Sequence, residues 1–307
     1  MNPILTILFV YFCENSTRRQ YLKACLKSLN TSFENNNNQI EILVLDGSSH
    51  ENATKNKIVF SNEVSKVKIN YINDTTPNLI KRINNNIEKI KTKFVLRLLE
   101  DCIFRTNFFI NDILLDCKLF DFLNTSSTII YPFIDTEKIN IIGKKLTFEL
   151  PKLNNKKTLK YLNGRKIYNR TEDRPHHNYI TANMLYTKIF FCKHIREFSK
   201  HGTSIYEAES SIFNKAFLPI TLQKLIPWQI RSKLMKIILS KSAIQNTYVT
   251  ETCLNFNIIH IGFESLSDYE LNFAREKSLT NPSGTLLPTL EKFSKFNWDK
   301  GYEFIIK

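Results

Sequence analysis

The chain has 307 residues, 42% of them apolar and 23% charged, which suits one large α/β domain or two small ones with a substantial core and excludes wholesale disorder. Its formal charge of +14 accompanies an abundance of Lys, Asn and Ile that A/T-rich codon usage produces unaided, so charge alone does not argue for a nucleic-acid partner. Six cysteines (Cys13, Cys25, Cys102, Cys117, Cys192, Cys253) lack any C-x-x-C pair or zinc-finger spacing, which suits a reducing compartment, and no apolar run approaches the roughly 18 residues of a membrane span.

The first half alternates short apolar runs with helical spacing, the pattern of strands joined by helical crossovers in a mostly parallel sheet. Ile4–Phe12 reads as a buried strand rather than a signal peptide, because it has no basic leader or small-residue cleavage site and stops at Glu14. Helical spacing follows at Tyr21, Leu22, Cys25, Leu26 and Leu29, with Ser16 or Thr17 placed to cap it. Ile40–Leu45 is the second strand, ending in Asp46-Gly47-Ser48-Ser49. Val67–Ile72 is the third, and Pro77 suits the first turn of a helix running to about Ile90.

Phe94–Leu99 is the fourth strand, and its apolar run ends abruptly at Glu100-Asp101. Two carboxylates therefore emerge at the carboxyl end of a buried strand, where open α/β sheets bind ligands. A helix near Phe108–Phe120 and a strand near Thr128–Phe133 come next. Residues 135–178 turn polar and irregular and suit loops or a small hairpin. Patterning resumes with Tyr179–Tyr186, a helix through Ile195, an acidic segment over Tyr206–Phe217, a basic amphipathic stretch and a strand ending in His260.

Asp46 ends its strand in a turn where a carboxylate can accept from a base or a ribose, although Asp-Gly-Ser is also ordinary turn chemistry. Glu100 and Asp101 offer hard oxygen ligands of the kind a divalent cation bridging two phosphates requires; a pair of solvated loop acids is the plain alternative. Arg82 is the candidate cation for a diphosphate, with Arg97 a second basic residue close by in sequence. His176-His177 do not suit joint metal ligation, because adjacent side chains on an extended segment point apart. Leu222–Ser242 interleaves Trp228, Ile230, Leu234, Ile237 and Ile238 with Lys224, Arg231, Lys233, Lys236 and Lys241, which suits either an interfacial helix or a core helix with a basic outer face.

Across about residues 4–262 these segments together resemble glycosyltransferase family two and its GT-A relatives. The opening strand, Tyr21-Leu-Lys-Ala-Cys-Leu-Lys-Ser-Leu29 and the strand closing in Asp46-Gly-Ser-Ser are similar to the family's nucleotide-binding start. Arg82-Ile-Asn-Asn-Asn-Ile87 through Lys93-Phe-Val-Leu-Arg-Leu-Leu-Glu-Asp101 is similar to the approach to its acidic metal motif, with Leu99 where the commonest pattern has its first Asp and Cys102 where many relatives add another acid. Asn183-Met-Leu-Tyr186 followed by Tyr206-Glu-Ala-Glu209 resembles the acceptor side, and Ile258-Ile-His260-Ile-Gly262 resembles the element that ends the catalytic region.

The resemblance implies a GT-A (Rossmann-like) domain over 1–262, with a nucleotide-binding half at 1–133, a smaller acceptor half at 134–262, and a C-terminal extension at 263–307 packed on it. It implies a hexosyltransferase-type enzyme that moves a sugar from a nucleoside-diphosphate donor, UDP-linked, to a hydroxyl of a glycan or lipid-linked glycan with inversion. It implies Mn²⁺ or Mg²⁺ on Asp101, Glu100 and His260, donor contacts from Asp46, Arg82, Glu100 and Asp101, and a general base at Glu209 or Glu207, which cannot both serve. The expected location is cytoplasmic, with the 222–242 stretch able to touch an anionic membrane face. A nucleotidyltransferase would use similar phosphates and metal, but the opening lacks a Gly-rich triphosphate loop. A nucleic-acid-binding protein would suit the pI near 9.4, but the basic residues are spread throughout and no nucleic-acid partner is expected.

Overall fold

A computed structural model of the protein describes residues 2–104, 110–123, 127–131, 139–142, 145–148, 159–162, 165–169, 183–199, 247–250, 258–260 and 303–306. The chain opens β1 (Leu5–Tyr11), α1 (Ser16–Glu34), β2 (Ile40–Asp46), α2 (His50–Glu63), β3 (Ile69–Asn73), α3 (Leu79–Asn86), a 3₁₀ turn (Ile87–Lys89) and β4 (Phe94–Leu98). These four strands lie side by side in the order β3-β2-β1-β4, and every neighbouring pair is parallel. Parallel neighbours need long crossovers, which the three helices supply. Right-handed crossovers put α1 and α2 on one face and α3 on the other, since the chain reverses its direction across the sheet after β3.

β5 (Cys102–Phe104), α4 (Ile110–Leu119) and β6 (Thr128–Tyr131) follow, then β7 (Ile139–Ile142), β8 (Lys145–Phe148), β9 (Leu159–Leu162) and β10 (Arg165–Asn169). The last described elements are β11 (Asn183–Thr187), α5 (Lys188–Ser199), β12 (Thr247–Thr250), β13 (Ile258–His260) and β14 (Glu303–Ile306). β11 enters antiparallel between β4 and β6. β12 runs parallel to β6, and the β10–β9 hairpin completes a nine-stranded sheet among the described residues. The α/β class with a mostly parallel core flanked by helices is the one the sequence implies.

All seven residues of β1 are buried, as a central strand covered on both faces must be. Its one polar side chain, Thr6, is satisfied by Thr92 at 2.7 Å and Glu41 at 3.0 Å. Phe60 of α2 packs its ring on Phe9, Tyr11 and Tyr71 at 5.7, 5.9 and 5.9 Å, which fixes that helix to the sheet. On the opposite face α3 packs against α5.

Four details depart from the pattern reading. The cap of α1 is Asn15, whose side chain accepts from the Arg18 N–H at 2.8 Å, rather than Ser16 or Thr17. Helix α3 starts after Asn78, which accepts from the Lys81 N–H at 3.0 Å, so Pro77 lies just outside it. Helix α2 has no counterpart in the periodicity, because its 14 residues bury only Ala53, Asn56 and Phe60. Residues 135–178 contain two hairpins, β7–β8 and β9–β10, one of which joins the main sheet, and β14 pairs parallel with β8. Among the described residues no helix is long and apolar enough to cross a membrane. The five described cysteines are free thiols.

Candidate functional site

The strand order turns back between β1 and β4, and the segment after β4 passes alongside α1, the helix that follows β1. Such a switch point is where open α/β sheets hold ligands. Two loops meet there: Phe12–Asn15 after β1 and Leu99–Asp101 after β4.

Arg18, in the first turn of α1, ties the two together. Its Nη2 donates to Glu100 Oε1 at 3.3 Å and its Nη1 to the Phe12 carbonyl. Phe12 itself is 49% exposed. Asp101 is 8% exposed beside Glu100. Burial first, and then the adjacent Asp101 charge, push the Glu100 carboxyl up to about 7. Two crowded carboxylates of this kind are relieved by a cation.

A divalent ion fits that donor set. Hard cations of the Mg²⁺ type are commonly held by one or two carboxylates, with substrate phosphates and waters completing the shell. Among the described residues no three His, Cys, Asp or Glu side chains form a metal-holding group, so the remaining ligands would come from the donor and water. Strand β13 pairs antiparallel with β5, setting the backbone of His260 opposite Cys102, one residue beyond Asp101. The sequence separates these positions by more than 150 residues, and the missed strand β5 is what joins them.

Asp46 and Arg82 stand on the β2 side of the same edge. Asp46 is fully buried, and its carboxylate is engaged from three directions: Ser48 N–H at 2.8 Å, Asn56 Nδ2 at 3.0 Å and the Tyr71 hydroxyl. Asn73 adds donations to the carbonyls of Asp46 and Ser48 at 3.1 and 2.9 Å. The Asp46 carboxylate thus faces the protein and shapes the Gly47–Ser49 turn. Arg82 is 3% exposed, with Nη1 on the Tyr11 carbonyl at 3.0 Å and Nε and Nη2 on the Thr76 carbonyl at 3.2 and 2.8 Å. Its guanidinium is therefore built into the β1 and β3 exits.

Glu14, Arg18 and Arg19 are contributors that pattern reading did not single out, and Asn183, quoted there only within the acceptor-side segment, meets the Leu99–Cys102 link. Glu14 accepts from the Ser49 N–H and hydroxyl and from Asn52, and the Ser49 N–H above all holds its carboxyl below the usual range. Arg19 donates to Asn56 and Asn52 at 2.9 Å each. Together they brace the β1 loop against the start of α2. The only sequence signal was a polar cluster at the first crossover, indistinguishable from capping residues. Arg97, in mid-β4, is 2% exposed with Nε and Nη1 lacking hydrogen-bond partners, and burial lowers its pKa despite the neighbouring Glu100 and Asp101 charges. Glu207, Glu209, His176, His177 and the 222–242 stretch lie outside the described residues.

No protein-family model matches the chain, and no curated protein matches it in sequence. Among solved structures it is similar to TarS of S. aureus, at 11% identity over 69% of this chain and 34% of that one, with a TM-score of 0.40. It is also similar to TarS residues 1–349 in complex with UDP, at 12% identity over 81% and 57% of the two chains and a TM-score of 0.39. A mannosyltransferase, PcManGT from Pyrobaculum calidifontis, in complex with GDP-Man and Mn²⁺, is similar at 12% identity over 44% and 36%, with a TM-score of 0.33. The chain thus spans between a third and three-fifths of the length of these proteins.

Proposed function

We propose that this protein is a glycosyltransferase that takes a sugar from a nucleoside-diphosphate donor, UDP-linked, and transfers it with inversion to a hydroxyl of a glycan or lipid-linked glycan. The observation that carries the proposal is the crowded Glu100–Asp101 pair at the β1/β4 switch point, one carboxylate of which is already met by Arg18. Acids alone would repel a diphosphate, so the site suits that ligand only together with a cation.

Asp101 and Glu100, with His260 as a third candidate, would hold the metal, Mn²⁺ or Mg²⁺. Once bound, the metal neutralises charge on the departing diphosphate. Arg18 orients Glu100 and presents a guanidinium at the same edge. The turn braced by Asp46 and Arg82 forms the nucleoside end of the cleft. In the reaction the acceptor oxygen forms a bond to the anomeric carbon as the bond from that carbon to the diphosphate oxygen breaks. The acceptor's proton passes to a carboxylate, Glu209 or Glu207, and the electron pair of the broken bond leaves on the diphosphate. The 222–242 stretch is proposed to bring the enzyme to an anionic membrane surface, which liposome flotation with anionic and neutral vesicles tests.

Thermal shift with UDP, GDP and CDP, each with and without Mn²⁺, tests the central proposal. A site ligand stabilises by RT ln(1 + [L]/Kd), so at least one nucleotide should raise the midpoint, and more so with metal. No response to any of the three refutes it.

A further inference from the structure

The geometry points to Asn183 as the positioning residue that holds the Glu100–Asp101 turn in register, an inference that rests on the donor-binding reading of that turn. Strand β4 stops at Leu98, and β5 begins at Cys102, so the carboxylates sit on a short link between two different sheets. Such a link has no ladder of its own to fix it. One side chain grips it at both ends. Asn183 Oδ1 accepts from the Leu99 N–H at 2.8 Å, and Asn183 Nδ2 donates to Cys102 Sγ at 3.6 Å. A carboxamide carries an acceptor and a donor on one planar head, which lets it do both.

Asn183 is itself immobilised. It is 0% exposed, and its backbone is the first residue of β11, in register with Tyr131 of β6, while the next residue, Met184, is paired with Arg97 of β4. The clamp is therefore anchored to the rigid sheet. Cys102 is likewise 0% exposed. The Cys25 thiol completes the bracing by donating to the Leu99 carbonyl at 3.7 Å. Position 102 is thus a fixing point for the amide. Groups that orient metal-holding side chains act through geometry, and their loss typically lowers metal affinity about 10–100-fold.

The test uses the full chain and calorimetry with whichever of UDP, GDP or CDP stabilises the wild type, with and without Mn²⁺. Asn183→Leu keeps the branched shape and heavy-atom count, with bulkier ends, and removes both hydrogen bonds. It should leave metal-free nucleotide affinity unchanged and cut the Mn²⁺-dependent gain in affinity about 10–100-fold. Cys102→Ala, which removes one end of the clamp, should cut the gain by less. A wild-type gain in Asn183→Leu, or an equal loss with and without metal, overturns the assignment. If Asn183→Leu does not fold, Cys102→Ala decides alone, and an unchanged gain there overturns it. A wild type that binds no nucleotide under any condition is a different result: the donor-binding reading fails, and the role of Asn183 falls with it.

Discussion

The Arg82 guanidinium lies against the α-carbon of Gly47, so closely that a β-carbon built there would sit 1.9 Å from Nη2 and 2.1 Å from Cζ. Gly47 is therefore required by close approach. Because Arg82 is held by the Tyr11 and Thr76 carbonyls, it cannot step aside without leaving those acceptors and its own donors unsatisfied. Gly47→Ala should destabilise the protein by about 1–3 kcal/mol, the usual cost of unsatisfied buried groups. The denaturation midpoint checks this. An unchanged midpoint would mean that Arg82 relocates freely.

Asp46 makes two losses separable. Its carboxylate holds the Gly47–Ser49 turn through Ser48 and reaches α2 through Asn56 and β3 through Tyr71. Asp46→Ala should lower both stability and UDP affinity, because the turn and the nucleoside end share that anchor. Tyr71→Phe removes one donor while keeping the turn bond from Ser48, so it should lower stability with little effect on affinity. Chemical denaturation and calorimetry on the two variants distinguish these outcomes. Unchanged UDP affinity in a folded Asp46→Ala protein would remove Asp46 from the nucleoside end.

What could be read from the sequence was whatever is written in consecutive residues. β1, β2 and β4 are mostly apolar runs, each broken inside by one polar residue (Thr6, Glu41, Arg97), and the acids at 46, 100 and 101 stand where those runs stop, so strand ends and candidate carboxylates were legible together. Helix α2 was not, since its inner face is one Phe, one Ala and a polar Asn56 explained only by distant partners, the Asp46 carboxylate and the Arg19 guanidinium among them. Asn183 and Arg18 were not legible as site residues either, because their roles depend on contacts 84 and 82 residues away. Arg82 was legible as a candidate cation for a diphosphate but not as one whose donors are taken by backbone carbonyls.

Arg97 offers a test of charge balance behind the acid pair. A buried guanidinium with unpartnered Nε and Nη1 costs stability, while its charge offsets Glu100 and Asp101. Arg97→Met should stabilise the protein at pH 5, where Glu100 is protonated, by about 1–3 kcal/mol. It should also enlarge the thermal shift given by Mn²⁺, because the site becomes more negative. A variant that is less stable at pH 5 would show that the guanidinium is worth more than the apolar packing that replaces it.

The base is tested by conservative replacement. Glu209→Gln and Glu207→Gln keep size and polarity but cannot take the acceptor's proton, so donor affinity should persist in both. Turnover should fall on the order of 10²–10⁴-fold in the one that serves as base. Normal turnover in both variants, with an identified acceptor, would move the base elsewhere.

Glu100 gives the site its pH dependence. Its carboxyl is raised from 4.5 to about 7 by burial and by Asp101, so folding favours the protonated form. That contribution to stability is complete below the ordinary Glu range and is lost as pH climbs through about 7. A cation competes with the same proton, so the metal-dependent part of nucleotide affinity should move the other way, rising with pH and levelling above that value. Stability without metal and affinity with metal should therefore cross in opposite directions over one window, roughly pH 5 to 8. Glu100→Gln removes the titrating group and should flatten both curves while lowering metal-dependent affinity at every pH. Denaturation and calorimetry at half-unit pH steps read the two profiles. If the affinity profile of Glu100→Gln keeps the wild-type slope, a different group, with Asp101 and His260 the nearest candidates in the chain, sets the pH dependence.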